Sequence, residues 1–183
     1  MPSAHVYIAP GFEETELVTV VDVLRRGDVT TTLVALDDQL AVRGAHDIVV
    51  MADVAFSAVV QQPDAIVLPG GGPGTQALAA CLPLHERLRE QHNAGRRVAA
   101  LCAAPTVLAK AGLLRGAAAT CFPGLESVLA EHGATVTNYQ VVTDGLVTTS
   151  RGPATAGLFG LELLRLLVND AKALEVGRAM LFL

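Results

Sequence analysis

Residues 98–108 read Val98-Ala99-Ala100-Leu101-Cys102-Ala103-Ala104-Pro105-Thr106-Val107-Leu108. The first four are apolar without a break, the pattern of a short strand buried on both faces, and Ala103 to Leu108 read as the helix that follows. A strand running straight into a helix is the repeating unit of a parallel sheet covered by helices. Working outward, Ala4–Ile8, Val29–Leu36 and Ala65–Leu68 are similar compact, apolar or β-branched runs. Glu13 to Arg26 carries Leu17, Val20, Val21 and Leu24 at i, i+3, i+4, i+7, which predicts an amphipathic helix. A second β-rich stretch runs from Val136 through an Asp144-Gly145 turn to Ser150, and Gly152-Pro153 then opens an apolar helix to about Val168. No solenoid-type repeat and no Ser/Gly-rich or charged linker divides the chain, so residues 1–183 are expected to form one α/β sandwich.

Composition narrows the function classes. With 51% hydrophobic and 17% charged residues over 183 positions, the chain can bury a sizeable core and is not disordered by default. A formal charge of −5 without any Lys/Arg-rich block argues against nucleic acid and anionic membrane as partners. Three cysteines with no C-x-x-C pair and no Cys/His cluster argue against a disulfide framework and a zinc site, and fit a reducing compartment. The N-terminal MPSAHVYIAPGFEE has no basic segment followed by a long apolar one, so a cytoplasmic location is expected.

Ligands of open α/β sheets sit beyond the carboxyl ends of the strands, which singles out the loops Ala9–Glu16, Pro69–Gly74 and Leu101–Pro105. Cys102 lies at a strand-to-helix turn, where a helix dipole and backbone N–H groups favour a thiolate, in the manner of a nucleophile elbow. The alternative for any free cysteine is a small buried hydrophobe, and Cys81 and Cys121 are read that way. Pro69-Gly70-Gly71-Gly72-Pro73-Gly74 lets the backbone approach a ligand closely. It lacks both the Lys-Ser/Thr ending of a P-loop and a full G-x-G-x-x-G context, so an oxyanion-binding turn beside Cys102 is preferred, with a bare tight turn as the alternative. Glu13 and Glu14 need no role beyond complementing a helix dipole. Glu16 stands four and seven positions before Val20 and Val23, at the edge of the apolar face. A carboxyl there tends to stay protonated, and beside Cys102 it can donate a hydrogen bond to the thiolate and serve as acid or base. No histidine is adjacent to Cys102. His85 and His92 fall in a polar helical run, Leu84 to Asn93, and read as a solvated face, while His46 can line a pocket only through the fold.

The motifs together resemble the DJ-1/ThiJ/PfpI superfamily, and within it the DJ-1 branch of parkinsonism-associated protein deglycase and its bacterial relatives. The resemblance spans essentially the whole chain and is carried by Ala9-Pro10-Gly11-Phe12-Glu13-Glu14-Thr15-Glu16, Val21-Asp22-Val23-Leu24-Arg25-Arg26, Val67-Leu68-Pro69-Gly70-Gly71, Ala99-Ala100-Leu101-Cys102-Ala103-Ala104-Pro105-Thr106 and Thr149-Ser150-Arg151-Gly152-Pro153. It implies a flavodoxin-like three-layer sandwich with a mostly parallel sheet and an elbow cysteine. It further implies Cys102 as an oxidation-sensitive nucleophile hydrogen-bonded by Glu16, and Gly70, Gly71 and Ala103 as oxyanion or substrate-binding positions joined by Arg151 and His46. A homodimer formed largely through the helix matching Glu13 to Arg26 is also implied.

Two positions depart from the human-like members: Phe122 stands where they carry a histidine, which places the base role on Glu16, and His46 stands where they carry an arginine. Ala103 directly after the cysteine differs from the histidine of the protease-like branch, and the His-x-Glu pair of type I glutamine amidotransferases is missing. The activity implied is a cofactor-independent glyoxalase or protein deglycase acting on methylglyoxal-type 2-oxoaldehydes or their early protein adducts, in an oxidative-stress role and without metal or nucleotide. The alternative is a redox-sensing, chaperone-like protein that uses oxidation of the same cysteine without turnover.

Overall fold

A computed structural model describes residues 1–183. The first half of the chain forms β1 (Ser3–Ile8), α1 (Glu14–Arg26), β2 (Thr30–Ala35), β3 (Ala41–Arg43), β4 (Val49–Met51), β5 (Val54–Ala55), β6 (Ala65–Leu68), α2 (Gly72–Ala80) and α3 (Leu82–Asn93). The second half forms β7 (Arg97–Leu101), α4 (Pro105–Lys110), β8 (Ala118–Ala119), α5 (Glu126–Glu131), β9 (Thr135–Val136), β10 (Val141–Asp144), β11 (Val147–Ser150), α6 (Ala156–Leu167) and α7 (Asp170–Ala179).

The central sheet has seven strands in the order β10-β11-β7-β6-β1-β2-β5, all parallel except the edge strand β10, which is antiparallel to β11. Alternate residues of the same strands feed two separate cores. Val6, Ile8, Val67 and Leu101 pack with α1 and α6 on one face. Tyr7, Ile66, Leu68 and Val98 pack with α2, α3 and α4 on the other. That two-sided burial explains the unbroken apolar runs, and it makes the molecule the expected three-layer sandwich. From β1 the chain moves outward to β2 on one side and later to β6 on the other, so the strand order reverses beside β1. Such a switch point opens a crevice at the carboxyl ends, here next to Ile8, Leu68 and Leu101.

The boundaries differ from expectation where local geometry intervenes. The helix predicted from Ala103 begins at Pro105, because Ala104 N–H closes a turn onto the Leu101 carbonyl at 3.0 Å. A short 3₁₀ turn, Pro153–Thr155, precedes α6 instead of a helix starting at Pro153. The β-rich stretch from Val136 is not continuous: β9 pairs with β8 in a separate two-stranded ribbon, and only β10 and β11 join the main sheet. No helix is long and apolar enough to cross a membrane.

Candidate active site

Cys102 follows the last residue of β7 and has φ +62°, a left-handed conformation uncommon for any residue but glycine. Two hydrogen bonds fix that backbone: Cys102 N–H donates to the Ser150 carbonyl at 3.0 Å, and Phe122 N–H donates to the Cys102 carbonyl at 2.8 Å. The turn therefore hangs between the end of β11 and the segment after β8. It leaves the Cys102 side chain 8% exposed, at the floor of the crevice.

Glu16 reaches the same place from the first turn of α1, whose N-terminus is capped by Glu13 accepting from Thr15 N–H at 3.0 Å and Glu16 N–H at 3.4 Å. Glu16 is fully buried. Its Oε2 accepts the Gly70 N–H at 2.7 Å, and its Oε1 has no hydrogen-bond partner. A Cβ on Gly70 would stand 2.6 Å from Cys102 Cβ, 2.8 Å from Glu16 Oε2 and 3.0 Å from Cys102 Sγ, so thiol, carboxyl and main chain converge on the single hydrogen that glycine carries there. Gly71, at φ +94°, is equally constrained: a Cβ would collide with the Gly11 carbonyl oxygen and lie 2.6 Å from Glu13 N. Loops 69–74 and 9–13 thus lock together, with Glu13 N–H donating to the Gly70 carbonyl at 3.0 Å.

The electrostatics of the pair follow from burial. Glu16 is pushed up to about 7, chiefly by desolvation and against the Gly70 hydrogen bond. Cys102 is pushed up to about 12, first by burial and then by the charge and hydrogen bonding of Glu16. The amides of Ala103 and Gly71 act in the opposite direction on the sulfur. The expectation of a thiolate favoured by a helix dipole is therefore corrected, since burial beside a carboxylate outweighs a helix that starts only at Pro105. The pair holds protons jointly. With Glu16 protonated, the negative charge that opposes thiolate formation is gone.

The other candidates distribute unevenly. Gly70 N–H is engaged by Glu16, while the N–H groups that act on the sulfur are those of Gly71 and Ala103. His46 lies on Glu14: its N–H donates to Glu14 Oε1 at 2.6 Å and its ring Nδ1 is 2.8 Å from Glu14 Oε2. Arg151 donates to the Asn138 carbonyl at 3.2 Å and to Asn138 Oδ1 at 3.3 Å. It thereby faces Asn138, and its charge also acts on Cys121 and Glu126. Glu14, assigned only a dipole role above, is buried and clamps the 44–48 loop. No local signal marks this, because its partner is 32 residues away. His85 is corrected as well: it is 5% exposed, and burial followed by the charge of Arg89 lowers its pKa. Cys121 is buried and Cys81 half-buried, as small apolar residues. The nearest approach to a metal-ligand set is Glu13, Glu14 and His46, with one donor atom each within 4.8 Å of the others, although both Glu14 oxygens already accept from or face His46.

Comparison with known proteins agrees with the sequence resemblance and the fold. Residues 2–166 match the DJ-1/PfpI family. Protein dj-1beta of Drosophila melanogaster is 38% identical over 180 residues, covering 98% of this chain and 96% of that protein. The crystal structure of Drosophila melanogaster DJ-1beta superposes with a TM-score of 0.95 at 37% identity, over 98% of this chain and 97% of the other. A Caenorhabditis elegans protein named glutathione-independent glyoxalase DJR-1.2 is 33% identical over 160 residues, covering 87% of this chain and 85% of that protein. On fold, site geometry and sequence together, the chain belongs to the DJ-1/PfpI family, on its DJ-1 branch.

Proposed function

We propose that the protein is a cofactor-independent glyoxalase that converts methylglyoxal-type 2-oxoaldehydes, free or as early adducts on proteins, into hydroxy acids. The observation that carries this reading is the convergence of Cys102 Sγ and Glu16 Oε2 at Gly70. A nucleophile and a carboxyl of pKa about 7 thus meet in one buried site. The relative named as a glutathione-independent glyoxalase supports the same class.

In the reaction, Cys102 sulfur adds to the aldehyde carbon while its proton passes through Glu16 to the former aldehyde oxygen, giving a hemithioacetal. The amides of Gly71 and Ala103 steady the negative charge that develops on that oxygen. Glu16, as carboxylate, removes the hydrogen of the former aldehyde carbon. It returns that proton to the neighbouring ketone carbon while the hydroxyl proton of the first carbon passes to the ketone oxygen, so that the first carbon is oxidised to a thioester carbonyl and the second reduced to an alcohol by the same electron pair. The product is a lactoyl thioester on Cys102. Water then breaks the C–S bond, which releases lactate and restores the thiol, so the sum is methylglyoxal plus water to lactate and a proton.

Val18 on α1 and Ile48, Val49 and Met51 at β4 are exposed apolar side chains, and Val18 and Met51 line one surface hollow together, which supports a homodimer through this face. Sedimentation at micromolar concentration tests it. A reducing, cytoplasmic setting accords with three free cysteines. The activity is tested by quantifying lactate itself from wild type, Cys102→Ala and Glu16→Gln, so that aldehyde trapping is not counted as turnover. Many lactates per protein from wild type, and none above buffer from either variant, is the expected result. A wild type that makes none would leave Cys102 a candidate redox switch.

A further inference from the structure

The turn that carries Cys102 hangs on a carbonyl at the very end of a strand. Ser150 is the last residue of β11, and its carbonyl accepts the Cys102 N–H at 3.0 Å, one of the two hydrogen bonds that fix the left-handed elbow. No further strand residue braces it, because the chain leaves the sheet at Arg151 and enters the 3₁₀ turn Pro153–Thr155. Two buried hydroxyls do so instead. Ser150 Oγ donates to the Gln140 carbonyl at 2.7 Å and stands 2.7 Å from Thr155 Oγ1. Thr155 Oγ1 accepts the Gly152 N–H at 3.0 Å, and its own hydrogen has two acceptors within reach, the Gly152 carbonyl at 2.9 Å and Ser150 Oγ. The Gly152 carbonyl already accepts the Thr155 N–H at 2.9 Å, whereas Ser150 Oγ, having given its hydrogen to Gln140, keeps its lone pairs free. The hydroxyls therefore point one way, from Thr155 to Ser150 to Gln140.

The same threonine governs the backbone beside Glu16. Gly152, held by Thr155 through both its N–H and its carbonyl, lies against Phe122 and Glu16: a Cβ there would stand 3.4 Å from a Phe122 ring carbon and 4.0 Å from Glu16 Oε1. We propose that Thr155 is a positioning residue of the site, its hydroxyl holding both the Ser150 carbonyl that fixes the Cys102 elbow and the Gly152 backbone that backs Glu16, so that sulfur and carboxyl stay aligned. It acts through these two backbone groups and not on the reacting atoms. A non-glycine residue at φ +62° relaxes toward the ordinary backbone regions when its anchors slacken, and the sulfur then turns away from the carboxyl. The consequence for turnover rests on the glyoxalase reading, whereas the hold on the elbow does not.

The experiment compares Thr155→Val, which keeps the shape and deletes the hydroxyl, with Thr155→Ser, which keeps the hydroxyl and deletes a methyl group. Urea unfolding first establishes that each variant is folded under the assay conditions. In Thr155→Val, kcat for lactate formation from methylglyoxal is expected to fall about tenfold with KM little changed, as for a nucleophile slightly out of place. Thr155→Ser should restore most of the rate. The second readout needs no turnover: alkylation of Cys102 by iodoacetamide as a function of pH, assigned to Cys102 by peptide mass. Burial and Glu16 together hold the thiol high in the wild type, so a slackened elbow in Thr155→Val should move the alkylation profile to lower pH. That variant is then more reactive toward the alkylating agent and less productive with substrate, an opposition that a loss of stability in an otherwise unchanged site does not create. An unmoved alkylation profile in folded Thr155→Val, or a change that Thr155→Ser does not reverse, would overturn the proposal. If wild type makes no lactate, the glyoxalase reading fails by itself, and the alkylation profiles of the two variants still decide whether Thr155 holds the elbow.

Discussion

Glu14 and Glu16 sit two residues apart at the start of α1, one 5% exposed and the other fully buried, yet the protein treats them in opposite ways. Burial pushes both carboxyls toward the neutral form. Around Glu14 it is outweighed by the His46 ring and the His46 amide, so its pKa falls below the ordinary value. Glu16 is given a single N–H donor and a thiol neighbour, one oxygen is left without a partner, and its pKa rises to about 7. Burial sets the stakes and the number of donors decides the charge. The fixed negative charge of Glu14 holds a loop, whereas the movable proton of Glu16 faces the sulfur.

The contrast is sharpest in activity. Glu16→Gln keeps the shape and the Gly70 hydrogen bond but cannot exchange a proton, so lactate formation should fall by about 10²–10⁴-fold. Glu14→Gln should leave kcat nearly intact, and an equal loss in both variants, read by steady-state kinetics, would break the division of labour.

Next in size is a pH effect on stability. The folded protein raises Glu16 from 4.5 to about 7, so it binds a proton more tightly than the unfolded chain does. The corresponding stabilisation is full below pH 4.5 and is lost as the pH rises to about 7, about 3 kcal/mol across that window. Urea unfolding of wild type against Glu16→Gln should show this slope in wild type only. Glu14 carries the opposite sign. Its pKa is lowered, so its contribution is present above the ordinary carboxylate range and disappears on acidification.

Glu14→Ala should therefore destabilise the protein at neutral pH, by about 1–3 kcal/mol, because the His46 amide loses its acceptor. The penalty measured by urea unfolding should shrink toward acid pH, and a constant one would mean that packing, not charge, is what the clamp supplies. Smallest is His46→Ala. The ring stands largely in solvent, so removing it should cost clearly less than Glu14→Ala in the same unfolding experiment.

Much of this was readable from the chain alone. Unbroken apolar runs such as Ala65–Leu68 announce strands covered on both faces, and Cys102 after such a run marks the elbow. Even Glu16 could be singled out, because a helix period places it on the edge of a buried stripe. Contacts across the fold could not be read. Gly70 lies 54 residues from Glu16, His46 lies 32 from Glu14, and Gly152 lies 30 from Phe122; no local pattern encodes such meetings. The direction of the Cys102 shift was also beyond local reasoning. A helix start is visible in sequence, but the depth at which a thiol is buried beside a carboxyl is a property of the assembled layers.

The left-handed backbone at Cys102 has a consequence for how this chain would change over generations. A non-glycine residue in that conformation costs about 1–2 kcal/mol relative to glycine. Cys102→Gly should therefore be among the simplest ways to stabilise the fold and, at the same stroke, to silence it. Asp28, Asp47 and Leu181 hold the same left-handed conformation with no sulfur at stake, so the fold bears this cost elsewhere as well, and only at Cys102 does relieving it by glycine remove the nucleophile of the proposed reaction.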